Sequence, residues 1–165
     1  MGLLYKTYNA AAPTTAQITP VTTGTAIKTM LQIATPSTKA IKVKAWGISF
    51  DGSAAGQGIG CELIQTDVAA TVTAHVAAGV IPFDNASGEA SLMTLGTAAT
   101  GYTASAEGSI TATRLLDFRQ IQPTNDWSYD FVLGQEGHVA VSKFLRIRVK
   151  AAVAAGCVCW VCWEE

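Results

Sequence analysis

Lys39-Ala-Ile-Lys-Val-Lys-Ala-Trp-Gly-Ile-Ser-Phe-Asp-Gly52 decides how this chain is read. In its first half Ile41, Val43 and Ala45 alternate with Lys42 and Lys44, the period-two pattern of a strand with one wet face. From Trp46 the phase inverts, and Trp46, Ile48 and Phe50 become the apolar set. A bulge at residues 45–47, or passage from a solvated edge into a two-sided core, produces such an inversion. Asp51-Gly52 then predicts a reversal through a pair that accepts positive φ.

Outward from this stretch the chain reads as more strands. Residues 25–35 alternate weakly, Ile27, Leu31 and Ile33 against Lys28, Met30 and Gln32, and close at Pro36-Ser37. Gly56-Gln-Gly-Ile-Gly60 belongs to a flexible connector that precedes a strand at Cys61-Glu-Leu-Ile-Gln-Thr66. Residues 113–121 and 127–133 are strand-like, joined across Gln122-Pro-Thr-Asn-Asp126. In residues 143–150 Leu145, Ile147 and Val149 alternate with Arg146, Arg148 and Lys150, and Cys157-Val-Cys-Trp-Val-Cys-Trp163 forms a dense last strand. Residues 67–79 read as a short helix or an irregular crossing. Asp67 stands as a cap and Gly79 as a stop, while the Val and Thr content pulls toward extended chain. Residues 80–112 are loop-rich, interrupted by Pro82, Gly88, Gly96, Gly101 and Gly108, and an insertion of this length is expected to be functional or to pack on something.

Short strands separated by turn signals, with little helix, predict an all-β fold: an antiparallel β-sandwich, jelly-roll-like, over residues 25–165. Residues 1–24 precede it as an extended N-terminal arm. Its Ala/Thr/Pro composition has no period, and Pro13 and Pro20 block ladder hydrogen bonds.

Composition narrows the function classes. At 165 residues the chain suits one domain, burying roughly two thirds of its unfolded surface. Charged residues are 14% against 49% hydrophobic, well under the usual charge of about a quarter, so much of the surface is expected to be covered by neighbours. A net charge of −1 gives no global attraction to nucleic acid or to an anionic membrane. No apolar run reaches the roughly 18 residues of a membrane span, and the first residues match neither a signal peptide nor a myristoylation motif; the protein is expected to be made and assembled in a cytoplasm.

No chemistry emerges from the motifs. Cys157, Cys159 and Cys162 are spaced closely enough to tempt a zinc reading, but on a strand Cys162 faces away from the other two, and Cys61 is the one cysteine elsewhere. Packing beside Trp160 and Trp163 as small reduced hydrophobes is the plainer reading. His75 and His138 have no paired nucleophile and are expected on the surface or in loops. Gly56-Gln-Gly-Ile-Gly60 resembles a phosphate loop but opens no helix. Lys42 and Lys44 with Arg146, Arg148 and Lys150 would form a basic face if their strands were neighbours. Without aromatic interleaving, a strip paired with acidic groups is the better reading. No cofactor, metal ligand or catalytic residue is assigned.

The blocks Ala45-Trp-Gly-Ile-Ser-Phe-Asp-Gly-Ser-Ala-Ala55, Glu62-Leu-Ile-Gln-Thr66, Gly101-Tyr-Thr-Ala-Ser-Ala-Glu-Gly108, Gln122-Pro-Thr-Asn125, Phe144-Leu-Arg-Ile-Arg148 and Trp163-Glu-Glu165 resemble small virion proteins of tailed bacteriophages of actinobacteria. Those are capsid decoration or other minor structural proteins. The likeness runs over residues 25–165; the arm carries no matching motif, and the cysteine-rich last strand departs from the pattern. It implies a β-sandwich on the virion's capsid surface that bridges capsomers, partnered by the major capsid protein and by itself, often as a homotrimer. Expected contacts are the arm, residues 2–24, and the loop-rich edge, residues 80–112. Leu3, Leu4, Tyr5, Tyr8 and Ile18 represent the arm and Tyr102 the loops; Lys42, Lys44, Arg146 and Arg148 complete the candidate interface. A tail or head-fibre component is an alternative. So is a lectin-like module in which Trp46, Trp127 or Tyr102 stacks on sugar rings.

Overall fold

A computed structural model describes residues 2–12 and 14–165; Met1 and Pro13, the latter read above as a break in the arm, lie outside the described residues. Two antiparallel sheets pack face to face as an all-β sandwich. The seven-stranded sheet contains β1 (Leu4–Tyr8), β2 (Val21–Thr22), β4 (Ile41–Phe50), β7 (Ile81–Pro82), β10 (Asp126–Asp130), β11 (Gly137–Val139) and β13 (Gly156–Glu164). The six-stranded sheet contains β3 (Lys28–Ala34), β5 (Ile59–Thr66), β6 (Thr71–Ala74), β8 (Gly101–Ala106), β9 (Thr113–Ile121) and β12 (Phe144–Lys150). Order across the first is β10-β4-β13-β1-β7, with β11 also on β4 and β2 on β13; across the second it is β6-β8-β3-β12-β5-β9.

The phase inversion in β4 is a register skip. Ala45 pairs Cys162 while Val43 pairs Trp163, so Lys44 is the extra residue. Ile41, Val43, Trp46, Ile48 and Phe50 thereby all face inward, against Leu31, Ile33, Leu63, Leu145 and Ile147 of the other sheet. Gly52 does not take a positive φ. Its lack of a side chain lets Pro123 approach, where a Cβ would come within 2.8 Å, and its N–H donates to the Pro123 carbonyl at 2.6 Å.

Several expectations are corrected. The start of the arm is a sheet strand: β1 lies between β13 and β7, Tyr5 is in the core beside Trp163, and Asn9 exchanges hydrogen bonds with β13. Strand physics explains this, since β1 alternates Tyr5 and Thr7 inward with Leu4, Lys6 and Tyr8 outward. The helix considered for residues 67–79 is the strand β6 followed by one 3-10 turn, Ala77–Gly79, so the β-branched residues prevailed over the capping signals. Within the loop-rich 80–112 segment, β7 and β8 each extend a sheet.

His75, expected on the surface or in a loop, lies in the loop after β6 and is buried. Its Nε2 lies 2.9 Å from the Tyr8 carbonyl and 3.1 Å from Thr7 Oγ1, and its ring packs on Tyr102. It thus ties β6's end to β1 across the two sheets. Burial pushes its pKa below the ordinary 6.5, partly offset by the Tyr8 carbonyl. Protonation therefore favours the unfolded chain. Its contribution is complete above pH 6.5 and is lost as pH falls from there toward the folded value. The unfolding free energy of the wild-type protein from urea titrations is expected to fall from pH 7.5 to pH 5, with a His75 contribution no steeper than about 1.4 kcal/mol per pH unit. A His75→Gln variant should flatten that profile. Equal slopes in both proteins would reject the assignment. The low-lying carboxylates of Asp67 and Glu136, each held at about 2, act below this window.

Candidate interaction face

Register fixes which side chains share the outer face of the seven-stranded sheet. Across β1 and β13, Leu4 pairs Glu164, Lys6 pairs Cys162 and Tyr8 pairs Trp160; across β13 and β4, Trp160 pairs Gly47 and Cys162 pairs Ala45. Cross-strand partners project to one side, so these residues form one surface opposite the core row Cys157, Cys159, Val161 and Trp163. The alternation read for the cysteines holds: Cys157 and Cys159 face the core and Cys162 the other side, and burial pushes the Cys159 and Cys162 thiols up.

Trp160 is the centre of this face. A Cβ on Gly47 would come within 2.6 Å of the indole, so glycine there lets the ring lie against the β4 backbone. Lys6 Nζ stands 3.9 Å from the Trp160 ring centroid and 5.3 Å from each of the Tyr8 and Phe83 rings. Phe83 follows β7, donates its N–H to the Leu4 carbonyl at 2.7 Å, and is 58% exposed. The arm strand and the loop-rich segment therefore meet at one sheet edge, joined through β1 and β7.

No family model, curated protein or solved structure matches the chain. The functional reading rests on the sequence blocks quoted above and on this surface.

Further across the face, Lys44 bridges Glu136 at 2.9 Å and Glu164 at 2.6 Å. Hydrogen bonds from its ammonium hold Glu136 at about 2 and lower Glu164, while the two carboxylates raise Lys44. Gly2, Leu4, Lys42, Asp84 and Leu133 border the same depression.

Of the ten expected interface residues, the structure gathers Leu4, Tyr8, Lys42 and Lys44 here. Leu3 packs partly against the core and Ile18 sits half-buried in the irregular segment after β1. Tyr5 and Arg146 are corrected to interior positions, being 2% and 0% exposed. Tyr102 packs on His75, and Arg148 pairs with Glu62 at 2.6 Å on the opposite sheet. The conjectured basic face does not form, because Lys42 and Lys44 lie in one sheet and Arg146, Arg148 and Lys150 in the other. The stacking platforms are also corrected. Trp46 is fully buried, while Trp127 is half-buried under the Arg119 guanidinium at 4.6 Å. Trp160 and Phe83 were missed. The alternation of the last strand placed Trp160 with Cys162, away from the core, and that signal was legible.

Proposed function

We propose that the protein is a non-enzymatic virion structural protein that decorates and cements a bacteriophage capsid, docking through the outer face of the seven-stranded sheet. The observation that carries this is the cluster of Phe83, Trp160 and Tyr8 around Lys6, with Leu4 on the same side of β1, where an apolar and aromatic patch stands outside the core. Interfaces concentrate aromatic anchors in this way. The resemblance to actinobacteriophage decoration proteins supplies the partner, the major capsid protein, and the expectation of several copies per site. Cementing works by mass action: a protein that binds only the assembled lattice stabilises it. A sugar-stacking role is disfavoured at Trp160, whose one face rests on β4 while the Lys6 ammonium covers the ring.

The test is co-sedimentation with actinobacteriophage capsid shells that lack the protein. Wild-type protein should saturate the shells and raise their resistance to heat. Phe83→Asp, at an exposed position that spares the fold, should weaken binding by about tenfold or more. Absence of wild-type binding, or unchanged binding by Phe83→Asp, rejects the docking face.

A further inference from the structure

The opposite side of the sandwich carries a second apolar surface, and the chain carries a feature shaped to fill it. On the outer face of the six-stranded sheet, Phe118, Gly60, Glu62 and Arg148 share one side by register, opposite the core residues Cys61, Leu63 and Val149. They border a groove of about 500 Å³ closed by Ile27. Gly58 and Gly60 keep its floor open, and Ile27 and Phe118 are 47% and 54% exposed. Lys150 stands at its rim and has no ion-pair partner among the described residues.

The complementary feature is the turn between β10 and β11. Leu133 and Gly134 form its tip after Val132, and Leu133 is 87% exposed, more than any other large hydrophobic side chain among the described residues. The turn is held rigidly. Gln135 N–H donates to the Val132 carbonyl, Gly134 N–H donates to Glu136, and Lys44 pins Glu136 from β4. Ordering such a tip before contact lowers the entropic cost of seating it. Asp130 flanks the turn without an ion-pair partner among the described residues.

Knob and groove occupy opposite faces of one molecule. Leu133 borders the depression beside Leu4, Lys44 and Glu164 on the seven-stranded sheet, whereas the groove lies outside the other sheet. With sheets about 10 Å apart, a chain cannot fill its own groove. We propose that the Val132–Leu133 turn of one copy seats in the Ile27–Phe118 groove of the next, with Asp130 meeting Lys150. Such a contact is heterologous, so it generates a ring where the rotation closes. It deepens the multi-copy part of the cement reading; Leu133 lies on the same outer face as Phe83 but at the β10–β11 end of the sheet rather than the β7 end, so separate variants read the two.

Sedimentation velocity over a concentration series tests it on the full chain. Wild-type protein should self-associate. Leu133→Asp and Phe118→Asp, both at exposed positions, should each weaken association by about 10- to 100-fold. Mixing these two variants is the discriminating step. Leu133→Asp retains a groove and Phe118→Asp retains a knob, so the mixture should form a dimer and nothing larger. Asp130→Lys should weaken association, and Asp130→Lys with Lys150→Glu should restore it. A wild-type chain that stays monomeric, single variants that associate as the wild type does, or a mixture that stays monomeric overturns the proposal. Shell binding by Phe83→Asp is read separately and leaves these outcomes untouched.

Discussion

Glu107→Ala is expected to destabilise the fold by about 3 kcal/mol, near the lower end of the about 3–5 kcal/mol found when a buried ion pair loses one partner. Arg146 is 0% exposed on the outer side of β12, covered by Val68 and by Glu107. Its guanidinium donates to the Glu107 carboxylate at 3.2 Å, to the Glu107 carbonyl at 3.0 Å and to the Val68 carbonyl. The same carboxylate accepts the Thr29 N–H and hydroxyl. Removing it leaves the guanidinium with two carbonyls but no counter-charge, and leaves both Thr29 donors without their partner. The lower end applies because the Glu107 side chain keeps 26% exposure, and water partly screens the loss. Burial already lowers the Arg146 pKa, an effect that Glu107 opposes.

The control is a double variant. Replacing a buried pair together by neutral groups of similar size is often neutral, so Glu107→Gln with Arg146→Met should recover most of the loss. Urea denaturation at constant m-value reads each step, and the wild type, Glu107→Gln, Arg146→Met and their double variant close a cycle. A Glu107→Ala protein within about 0.5 kcal/mol of the wild type would mean that solvent already satisfies Arg146.

This ion pair also marks what the sequence could not disclose. The alternation of Leu145, Ile147 and Val149 with Arg146 and Arg148 correctly made β12 a strand, and a strand's second face is ordinarily wet. Here Glu107 and Val68, 39 and 78 residues upstream, fold across that face, and no local pattern announces a cover from so far away. Arg148, two residues on, escapes the cover and meets Glu62. The legible strands were β3, β4, β5, β9, β10, β12 and β13, and among them β4 and β12 carry long or branched apolar residues at period two. β8 was illegible because small residues fill it: Gly101 and Ala104 are its buried positions. β1 was obscured because Leu4 and Tyr8 put apolar groups on its outer side as well. That same property makes β1 part of the interaction face, so the feature that hid the strand also serves the proposed docking. It also changes how docking is tested. Deleting residues 2–24 removes a strand from the middle of a sheet, together with Tyr5, and no longer leaves an intact domain.

Trp46→Ala is expected to cost about 3–5 kcal/mol, the range for removing a buried tryptophan, and to lower Tm by roughly 6–20 °C in a chain of this size. Trp46 sits at the first inward position after the Lys44 skip and is fully buried. Its Nε1–H crosses the sandwich to Asp117 on β9 at 3.1 Å. Asp117 also accepts the Phe118 N–H and pairs with Arg119, which packs over Trp127 and Tyr129. One side chain thus joins the strand that organises the first sheet to the edge strand of the second. Trp46→Phe separates its two roles. It keeps most of the apolar contact and gives up the bond, and Asp117 retains its other donors, so the cost should be about 1–2 kcal/mol. If Trp46→Ala and Trp46→Phe cost the same, the cross-sheet bond rather than packing carries the effect. If neither exceeds about 1 kcal/mol, Trp46 is not the keystone of the core. Because its ring is enclosed, any loss of shell binding by Trp46→Ala should track loss of fold, measured by near-UV circular dichroism. Phe83→Asp should lose binding with the fold intact. That contrast separates the strand that builds the sandwich from the face proposed for docking.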